Sequence, residues 1–368
     1  MKKILKLTII FLMLILFTSC WDSRDLEELL LVYGIGFDIN ENNPEEYVIT
    51  IGFPTIIEDA PESKHEFSVI APSFGSGKTQ LQNVVYREIS YGNVRIIVFS
   101  EDVARLGIYP HVDAMLREPI FNGTTRFAVV NTRAEELLKL KPPVALLVST
   151  FIYDSIEQGH RTTTVPFTTL RNFNNELFND GIEPSIPYVC LGEKDFELKV
   201  ECIALFKGDR MVHLLKGENS TAFMLLKGEI NEGFIHASYE NEDKEEHISI
   251  VLKGGTSKIK TRVEGSRLYI DQEIKINSSL AEYTGKETVF DEAIIKKLES
   301  IVTEYYKDVM QETLSILQEL ECDNIGYGRY VKANHPDIFN AETWNEDFAE
   351  AIITAHPTVS IRSVGVSH

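Results

Sequence analysis

The hydrophobic pattern of the first half of the chain alternates between strand-like and helix-like stretches. Tyr47 to Phe53 places apolar side chains at every second position, and Asn93 to Ser100 and Thr125 to Val130 are short, mostly apolar runs. Such patterns are typical of half-buried and buried strands. Between them, Lys78 to Ser90 has the three- and four-residue apolar spacing of a helix. Strands that alternate with helices over residues 30–140 predict an α/β unit.

From about residue 196 the pattern changes to strand-like runs separated by glycine or charged turns. These runs are Glu197 to Phe206, Arg210 to Leu215, Ser220 to Leu226, His247 to Leu252, Lys258 to Val263 and Arg267 to Ile276. The acidic stretch from Glu240 to Glu246 interrupts them and is the best candidate for a linker. Near the start of the chain, Arg24 to Leu31 has helical spacing.

One long helix is predicted in the last third of the chain. Thr288 and Asp291 have the spacing of a capping box, and apolar residues follow at three- and four-residue steps from Phe290 to Leu320. About 30 residues at 1.5 Å each give a helix of roughly 45 Å, which is long enough to cross a sheet. The apolar stripe indicates a face packed on that sheet; a coiled-coil seam is the alternative.

These patterns predict an α+β or mixed α/β fold with several domains. At roughly 100–200 residues per domain, a chain of this length corresponds to two or three domains. We predict a signal peptide over residues 1–19, an N-terminal α/β domain over 20–195, a small β-rich middle domain over 196–243 and a C-terminal domain over 244–368. In the last domain we expect an antiparallel sheet packed on the long helix.

The first twenty residues have the features of a bacterial lipoprotein signal. Three lysines within residues 2–6 precede an apolar run from Leu7 to Phe17, which is too short to span the hydrocarbon core of a bilayer. Thr18-Ser19-Cys20 resembles the end of a lipobox, although Phe17 stands where leucine is usual. We predict cleavage before Cys20 and a diacylglycerol on its sulfur. A plain transmembrane anchor, or cleavage elsewhere, is the alternative.

The net charge and the cysteine content exclude some classes of protein. The formal net charge is −20, and it becomes −23 when residues 1–19 and their three lysines are removed. Such a surface repels phosphate backbones, which argues against nucleic-acid binding and against electrostatic adhesion to lipid. Cys190, Cys202 and Cys322 are too scattered for a disulfide framework. They are three buried free thiols, or Cys190 and Cys202 meet, since they lie in neighbouring strand-like stretches.

Few motifs indicate chemistry. Gly75-Ser76-Gly77-Lys78-Thr79 resembles the end of a phosphate loop, but Pro72 replaces the first glycine and cannot donate a backbone hydrogen bond. We predict a glycine turn that leads into a helix from Lys78. The nine histidines lack metal-binding spacing, and there is no nucleophile elbow. We therefore predict a protein that is not an enzyme, without catalytic, cofactor-binding or metal sites.

Three stretches together resemble a known family. The first is Cys20 to Leu26 (CWDSRDL) followed by Val32 to Asp38; the second is Gly77-Lys78-Thr79, then Arg95 to Ile108 and Leu116-Arg117-Glu118; the third is Asp323 to Arg329 (DNIGYGR), then Trp344, Phe348 and a closing strand from Val359 to Gly365. In this combination the chain resembles the Ger(x)C lipoproteins, the C subunits of spore nutrient germinant receptors. Asn93 departs from a frequent histidine of that family, and residues 349–357 approach the closing strand differently.

The resemblance implies a three-domain mixed α/β protein without known enzymatic activity. It further implies attachment through lipid on Cys20 to the outer face of the spore inner membrane. There the chain would assemble with two integral membrane subunits, A and B, into a receptor that starts germination. The alternative is an extracytoplasmic solute-binding lipoprotein of a transporter, which would have two similar α/β lobes.

Overall fold

The computed structural model describes Ile4 and residues 28–54, 66–140, 142, 147–192, 197–241, 244–265, 267–285 and 291–364. Apart from Ile4, the predicted signal peptide lies outside the described residues, as do Cys20 and, at the start of the predicted long helix, Thr288 and Phe290. Among the described residues, no helix combines the length and the apolarity needed to cross a membrane.

The first large element is an eight-stranded mixed sheet. Its strands are β2 (Gly34–Ile39), β3 (Tyr47–Gly52), β4 (Glu66–Ala71), β6 (Ile96–Ser100), β7 (Arg126–Val130), β8 (Ser185–Leu191), β9 (Leu198–Lys207) and β10 (Arg210–Leu215). Their order is β10-β9-β8-β7-β6-β2-β3-β4. Strands β2, β6, β7 and β8 are mutually parallel, and the pairs at both sides of them are antiparallel.

A small second pairing lies beside the start of this sheet. Strand β1 (Leu29–Leu31) pairs in parallel with β5 (Glu88–Ser90). The helix predicted from Arg24 to Leu31 is therefore wrong at its last three residues, because they form a ladder with a distant strand. Strands β2, β6 and β7 begin at Gly34, Ile96 and Arg126, and we call this edge of the sheet the amino edge. The opposite edge, where the same strands end, is called the carboxyl edge.

Helices cover both faces of the eight-stranded sheet. They are α1 (Phe74–Val84), α2 (Glu101–Leu106), α3 (Tyr109–Leu116), α4 (Ala134–Leu138), α5 (Val148–Arg161) and α6 (Leu170–Leu177). Alternate side chains of strand β6 face the two groups of helices. Ile97 and Phe99 pack with α1, α2, α3 and α6, whereas Ile96 and Val98 pack with α4 and α5. A strand buried on both faces needs a continuous apolar run, which is the pattern seen in its sequence.

Helix α1 corrects the predicted glycine turn. Ser73 caps it and accepts a hydrogen bond from the backbone N–H of Ser76, so that Gly75 and Gly77 lie within the helix. A Cβ atom at Gly77 would come within 2.5 Å of Cδ1 of Ile49 on β3. Glycine at this position therefore serves a close approach between helix and sheet, and it does not form a turn.

The second sheet has four strands. They are β11 (Glu232–Asn241), β12 (Lys244–Glu264), β13 (Arg267–Tyr283) and β14 (Ile352–Val364), in that order. The first three are antiparallel neighbours, as predicted, whereas β14 runs parallel to β13. Parallel neighbours require a crossover, and the chain between β13 and β14 supplies one in α8 (Glu292–Glu319), α9 (Tyr327–Asn334) and α10 (Trp344–Glu350).

Helix α8 is the predicted long helix, and the prediction that it packs on the sheet is confirmed. Leu298, Val302 and Met310 are among the side chains it buries in the core of the second sheet. Its cap differs from the predicted capping box: Asp291 is the N-cap, and its side chain accepts a hydrogen bond from the backbone N–H of Ile294.

The segment 196–243 contributes to both sheets. Strands β9 and β10 extend the eight-stranded sheet, α7 (Glu218–Lys227) follows, and β11 begins the four-stranded sheet. The acidic stretch from Glu240 to Glu246 is not a linker, because it lies at the β11–β12 hairpin, where Glu240 pairs with Glu245. The domain boundaries at 195/196 and 243/244 stay a prediction about folding units.

Candidate functional site at the joint between the sheets

A buried carboxylate organises the region where the two sheets meet. Asp323 is fully buried, and its two oxygens accept four hydrogen bonds. Oδ1 accepts from the backbone N–H of Gly326 (2.7 Å) and of Tyr327 (3.1 Å). Oδ2 accepts from the backbone N–H of Gly328 (2.8 Å) and from Nε1 of Trp344 (3.0 Å). This one side chain therefore satisfies the first N–H groups of α9 and ties α9 to α10.

The electrostatics of Asp323 follow from its complete burial. Burial raises the pKa of its carboxyl group from 3.8 to about 6, although the three backbone N–H groups and the Trp344 indole lower it. Each donor stabilises the ionised form, whereas desolvation destabilises it more strongly.

The residues on both sides of Asp323 attach this turn to the eight-stranded sheet. The carbonyl oxygen of Asp323 accepts a hydrogen bond from the backbone N–H of Glu183 (2.9 Å). Nδ2 of Asn324 donates to the carbonyl oxygens of Pro184 (2.6 Å) and Phe206 (2.9 Å). The thiol of Cys322 donates to the same Phe206 carbonyl (2.9 Å). Three consecutive residues thus bridge a loop before β8 and the end of β9.

Two glycines allow this contact to be close. Gly181 has a φ of +85°, and a Cβ atom there would come within 2.5 Å of the carbonyl carbon of Gly328. A Cβ atom at Gly328 would in turn lie 2.4 Å from Cα of Gly181 and 2.5 Å from Cε2 of Trp344. No other residue type fits at either position without separating the two backbones.

A second polar contact lies deeper in the joint. The hydroxyl of Tyr327 donates to Oε1 of the buried Gln272 on β13. Nε2 of Gln272 donates to the carbonyl oxygen of Leu226 on α7 (2.6 Å) and to the hydroxyl of Ser257 on β12 (2.7 Å). Both the oxygen and the nitrogen of the Gln272 side-chain amide are therefore hydrogen-bonded, which fixes α7, α9 and the second sheet relative to one another.

The apolar packing is shared in the same place. Strand β9 points Cys202, Ala204 and Phe206 into the core of the eight-stranded sheet. Its alternate residues Ile203 and Leu205 belong to the core that includes α7, α8 and the second sheet. One strand is therefore part of both hydrophobic cores.

A polar crevice of about 500 Å³ lies at the carboxyl edge, where open α/β sheets commonly bind ligands. The buried Asp38 lines it, and its two oxygens accept hydrogen bonds from the backbone N–H groups of Ala134 (2.7 Å) and Glu135 (2.9 Å). Burial raises the pKa of Asp38, and these two N–H groups oppose the rise. Arg133 pairs with Glu41 and with Glu135. Asp38 thus holds the start of α4 against β2.

Lys78, which would bind phosphate if residues 75–79 formed a phosphate loop, contacts other side chains of the protein. Its ammonium group pairs with Glu118 and lies 5.2 Å from the centre of the Tyr91 ring. An ammonium that is paired with a carboxylate and covered by aromatic rings is a structural contact of α1.

The three cysteines that remain after Cys20 are free thiols. Cys202 and Cys322 are buried, whereas Cys190 is half-buried. Cys190 and Cys202 lie on the paired strands β8 and β9, and the nearby Cys202 thiol lowers the pKa of Cys190. Within the part of the chain that the structure describes, no three side chains of metal-ligating type gather around a common point.

Comparison with known proteins identifies the class to which this fold belongs. A family model described as "Spore germination protein N-terminal domain" matches residues 22–191, and one described as "Spore germination B3/ GerAC like, C-terminal" matches residues 202–365. The chain is thus of the class of spore germination proteins. It belongs to the Ger(x)C family, whose two models together cover nearly its whole length.

Relatives and a solved structure agree with this assignment. Spore germination protein A3 of Bacillus subtilis (strain 168) is 23% identical, with 98% of this chain and 98% of that protein covered. Spore germination protein KC of the same strain is 19% identical, with 99% and 97% covered. The crystal structure of the GerBC protein superposes with a TM-score of 0.56 at 16% identity, covering 89% of this chain and 97% of that one. The last match supports the fold.

Proposed function

We propose that this chain is the lipid-anchored subunit of a spore nutrient germinant receptor, attached through Cys20 at the outer face of the spore inner membrane. It assembles there with two integral membrane subunits, A and B, and acts in assembly and signalling without catalysing a reaction. The observation that carries the proposal is that the two spore germination models cover residues 22–191 and 202–365.

The joint supports this role. Asp323, Asn324, the Gly181–Gly328 contact and the shared strand β9 connect the two sheets by buried polar contacts and a common core. A rigid body of this kind suits a subunit that transmits or holds a position within a complex, because its parts cannot rotate without losing buried hydrogen bonds.

Deletion of the gene tests the proposal. Spores of the deletion strain should respond poorly to one nutrient or one group of nutrients, and should germinate normally with Ca²⁺-dipicolinate, which does not need nutrient sensing. A wild-type copy in trans should restore the response. Unchanged germination with every nutrient that the parent strain uses would contradict the proposal.

The runner-up is a solute-binding lipoprotein of a transporter. The strand orders oppose it, because an eight-stranded mixed sheet and a four-stranded sheet are not two similar lobes. Isothermal titration of residues 21–368 with amino acids and sugars separates the two functions. Tight binding by the isolated chain would favour solute capture, whereas a receptor subunit of the proposed kind should give no heat of binding.

A further inference from the structure

A group of apolar and basic side chains, most of them exposed, surrounds strand β5 at the amino edge. Tyr86 is 88% exposed, Val84 59% and Ile120 46%. Arg95, which is exposed, and Arg87, which is half-buried, lie among them. We call these five residues the amino-edge patch.

The described contacts bring the patch together. Val84 ends α1, and Tyr86 and Arg87 form the connection into β5. Ile120 lies beside the far end of β5, since a Cβ atom at Gly92 would be 3.6 Å from Cγ1 of Ile120. The backbone N–H of Arg95 donates to the carbonyl oxygen of Tyr33, at the start of β2 (2.9 Å).

The two arginines are held by aromatic rings. The guanidinium carbon of Arg87 is 5.5 Å from the ring centre of Tyr86, and that of Arg95 is 5.7 Å from the rings of both Tyr33 and Tyr153. No carboxylate within the described ranges pairs with either arginine. On a chain with a formal charge of −20, this edge thus presents unpaired cations next to exposed apolar groups.

The patch lies where the chain arrives from its proposed anchor. Leu29, the first residue of β1, is in register with Glu88, which follows directly after Tyr86 and Arg87. Cys20 precedes Leu29 by nine residues, and nine residues span at most about 30 Å when fully extended. The tether therefore limits Leu29, and with it the strand pair β1–β5 beside the amino edge, to within about 30 Å of the lipid.

We infer that the amino-edge patch rests in the headgroup zone of the membrane and so fixes the orientation of the ectodomain. The inference depends on the lipid anchor at Cys20 proposed above. Tyrosine and exposed aliphatic side chains suit a boundary with an apolar side and a wet side, and arginine heads reach lipid phosphates while their stems stay in apolar surroundings. The acidic remainder of the surface is repelled by anionic headgroups, which favours the same orientation.

The composition of the amino-edge patch favours contact with lipid headgroups over contact with an apolar protein surface. An apolar partner surface would bury the charges of Arg87 and Arg95 without a carboxylate, at a cost in desolvation. In the headgroup zone the same groups meet phosphate oxygens and water, and Tyr86 keeps its hydroxyl hydrated.

Hydrogen–deuterium exchange tests the orientation. The full lipidated chain in phosphatidylethanolamine–phosphatidylglycerol vesicles is compared with residues 21–368 mixed with the same vesicles. We expect backbone amides of residues 84–92 and 118–121 to exchange several-fold more slowly in the lipidated chain, while residues 131–138 at the carboxyl edge stay unchanged. Equal exchange at the amino edge in a chain that remains bound to the vesicles would overturn the inference.

A pair of double variants controls for nonspecific effects. Tyr86→Asp with Ile120→Asp should abolish the protection, whereas Phe178→Asp with Phe234→Asp, at positions 64% and 62% exposed elsewhere, should not. Protection that needs co-reconstituted A and B subunits would overturn lipid as the occupant and assign the patch to protein docking. A chain that carries no lipid would refute the proposed anchor instead, and mass spectrometry of the purified protein distinguishes that outcome.

Discussion

The indole N–H of Trp344 donates a hydrogen bond to the carboxylate of Asp323 over 3.0 Å, although the two residues are 21 positions apart. Both side chains are buried, and this bond closes the set of four that surrounds Asp323. It connects the turn that touches the first sheet with the helix that precedes the last strand of the second. The stability of the joint should therefore respond to the charge of a single carboxyl group.

Asp323→Asn should change how stability depends on pH. The pKa of Asp323 is about 6 in the folded chain, against 3.8 for the ordinary carboxyl group. The protonated group therefore stabilises the fold below pH 3.8, and this stabilisation is lost as the pH rises through 6. The difference in unfolding free energy between wild type and variant should shrink by up to about 3 kcal/mol between about pH 4 and about pH 7. Urea unfolding at both pH values measures it, and a constant difference would contradict the assigned titration.

Gly328→Ala should loosen the joint. The new methyl group would meet Cα of Gly181 at 2.4 Å, so the two backbones must separate, at a cost of about 3 kcal/mol or more. Gly75→Ala is the matched control, because nothing lies within 4 Å of its Cβ position and it sits within α1. That change should stabilise the chain by about 0.5–1 kcal/mol, since alanine favours the helix. Thermal melting of both variants decides; equal melting temperatures would refute the close contact.

Leu298→Asp should destabilise the second sheet. Leu298 is fully buried where α8 meets the sheet, and an unpaired carboxylate there costs about 4 kcal/mol. Ser300→Asp, two residues further along the same helix and exposed, is the control and should leave the melting temperature nearly unchanged. Calorimetry of residues 21–368 provides the measurement, and similar melting of the two variants would contradict the burial of this face.

Lys78→Ala should leave nutrient germination near the wild-type rate. The change removes an ion pair with Glu118 at a partly exposed position, which contributes at most about 1 kcal/mol to stability. Germination is followed by the fall in optical density of spores with equal amounts of the receptor subunit. Loss of germination at unchanged protein abundance would revive a phosphate-binding role for residues 75–79.

Cys20→Ala should abolish anchoring. Durable membrane attachment needs at least two acyl chains, which a diacylglycerol on Cys20 would supply. Without it, signal processing should fail and nutrient-triggered germination should fall strongly, because the anchor concentrates the subunit beside its partners. Labelling with an alkyne fatty acid and membrane fractionation measure both effects.

The control for this experiment is Cys190→Ala, which removes a different thiol. It should leave labelling and fractionation as in the wild type. A Cys20→Ala protein that is still labelled, membrane-bound and normally cleaved would show that the anchor is elsewhere.

The parts of the fold that were predictable have strong local periodicity. Strand β6 has a continuous apolar run, and α8 carries an apolar stripe over seven turns, so both are visible in the sequence. The acidic hairpin at Glu240 to Glu246 differs from the predicted linker, because its backbone is paired between β11 and β12 although most of its side chains are charged. The parallel position of β14 was missed, because register with β13 is set by packing and leaves no local pattern.

The sequence indicates only part of the joint between the two sheets. Asp323 to Arg329 and Trp344 carry part of the family resemblance, and the structure buries Trp344 in the core of the second sheet. Its bond to Asp323 could not be predicted, because a tertiary contact between distant positions has no periodicity. The partner loop from Gly181 to Pro184 gave no signal beyond a glycine and a proline, which are typical of any turn.

Strand β9, which serves both hydrophobic cores, has a practical consequence for dissecting the chain. The two family models meet between residues 191 and 202, so a fragment cut there would end at β8 and leave its ladder of N–H and C=O groups open. Open strand edges recruit other chains and aggregate. Expressed alone, either half should therefore be insoluble. Expressed together, the halves should find each other through the β8–β9 ladder and form a soluble, noncovalent pair, which makes this seam a place to split the protein for fragment-complementation reporters.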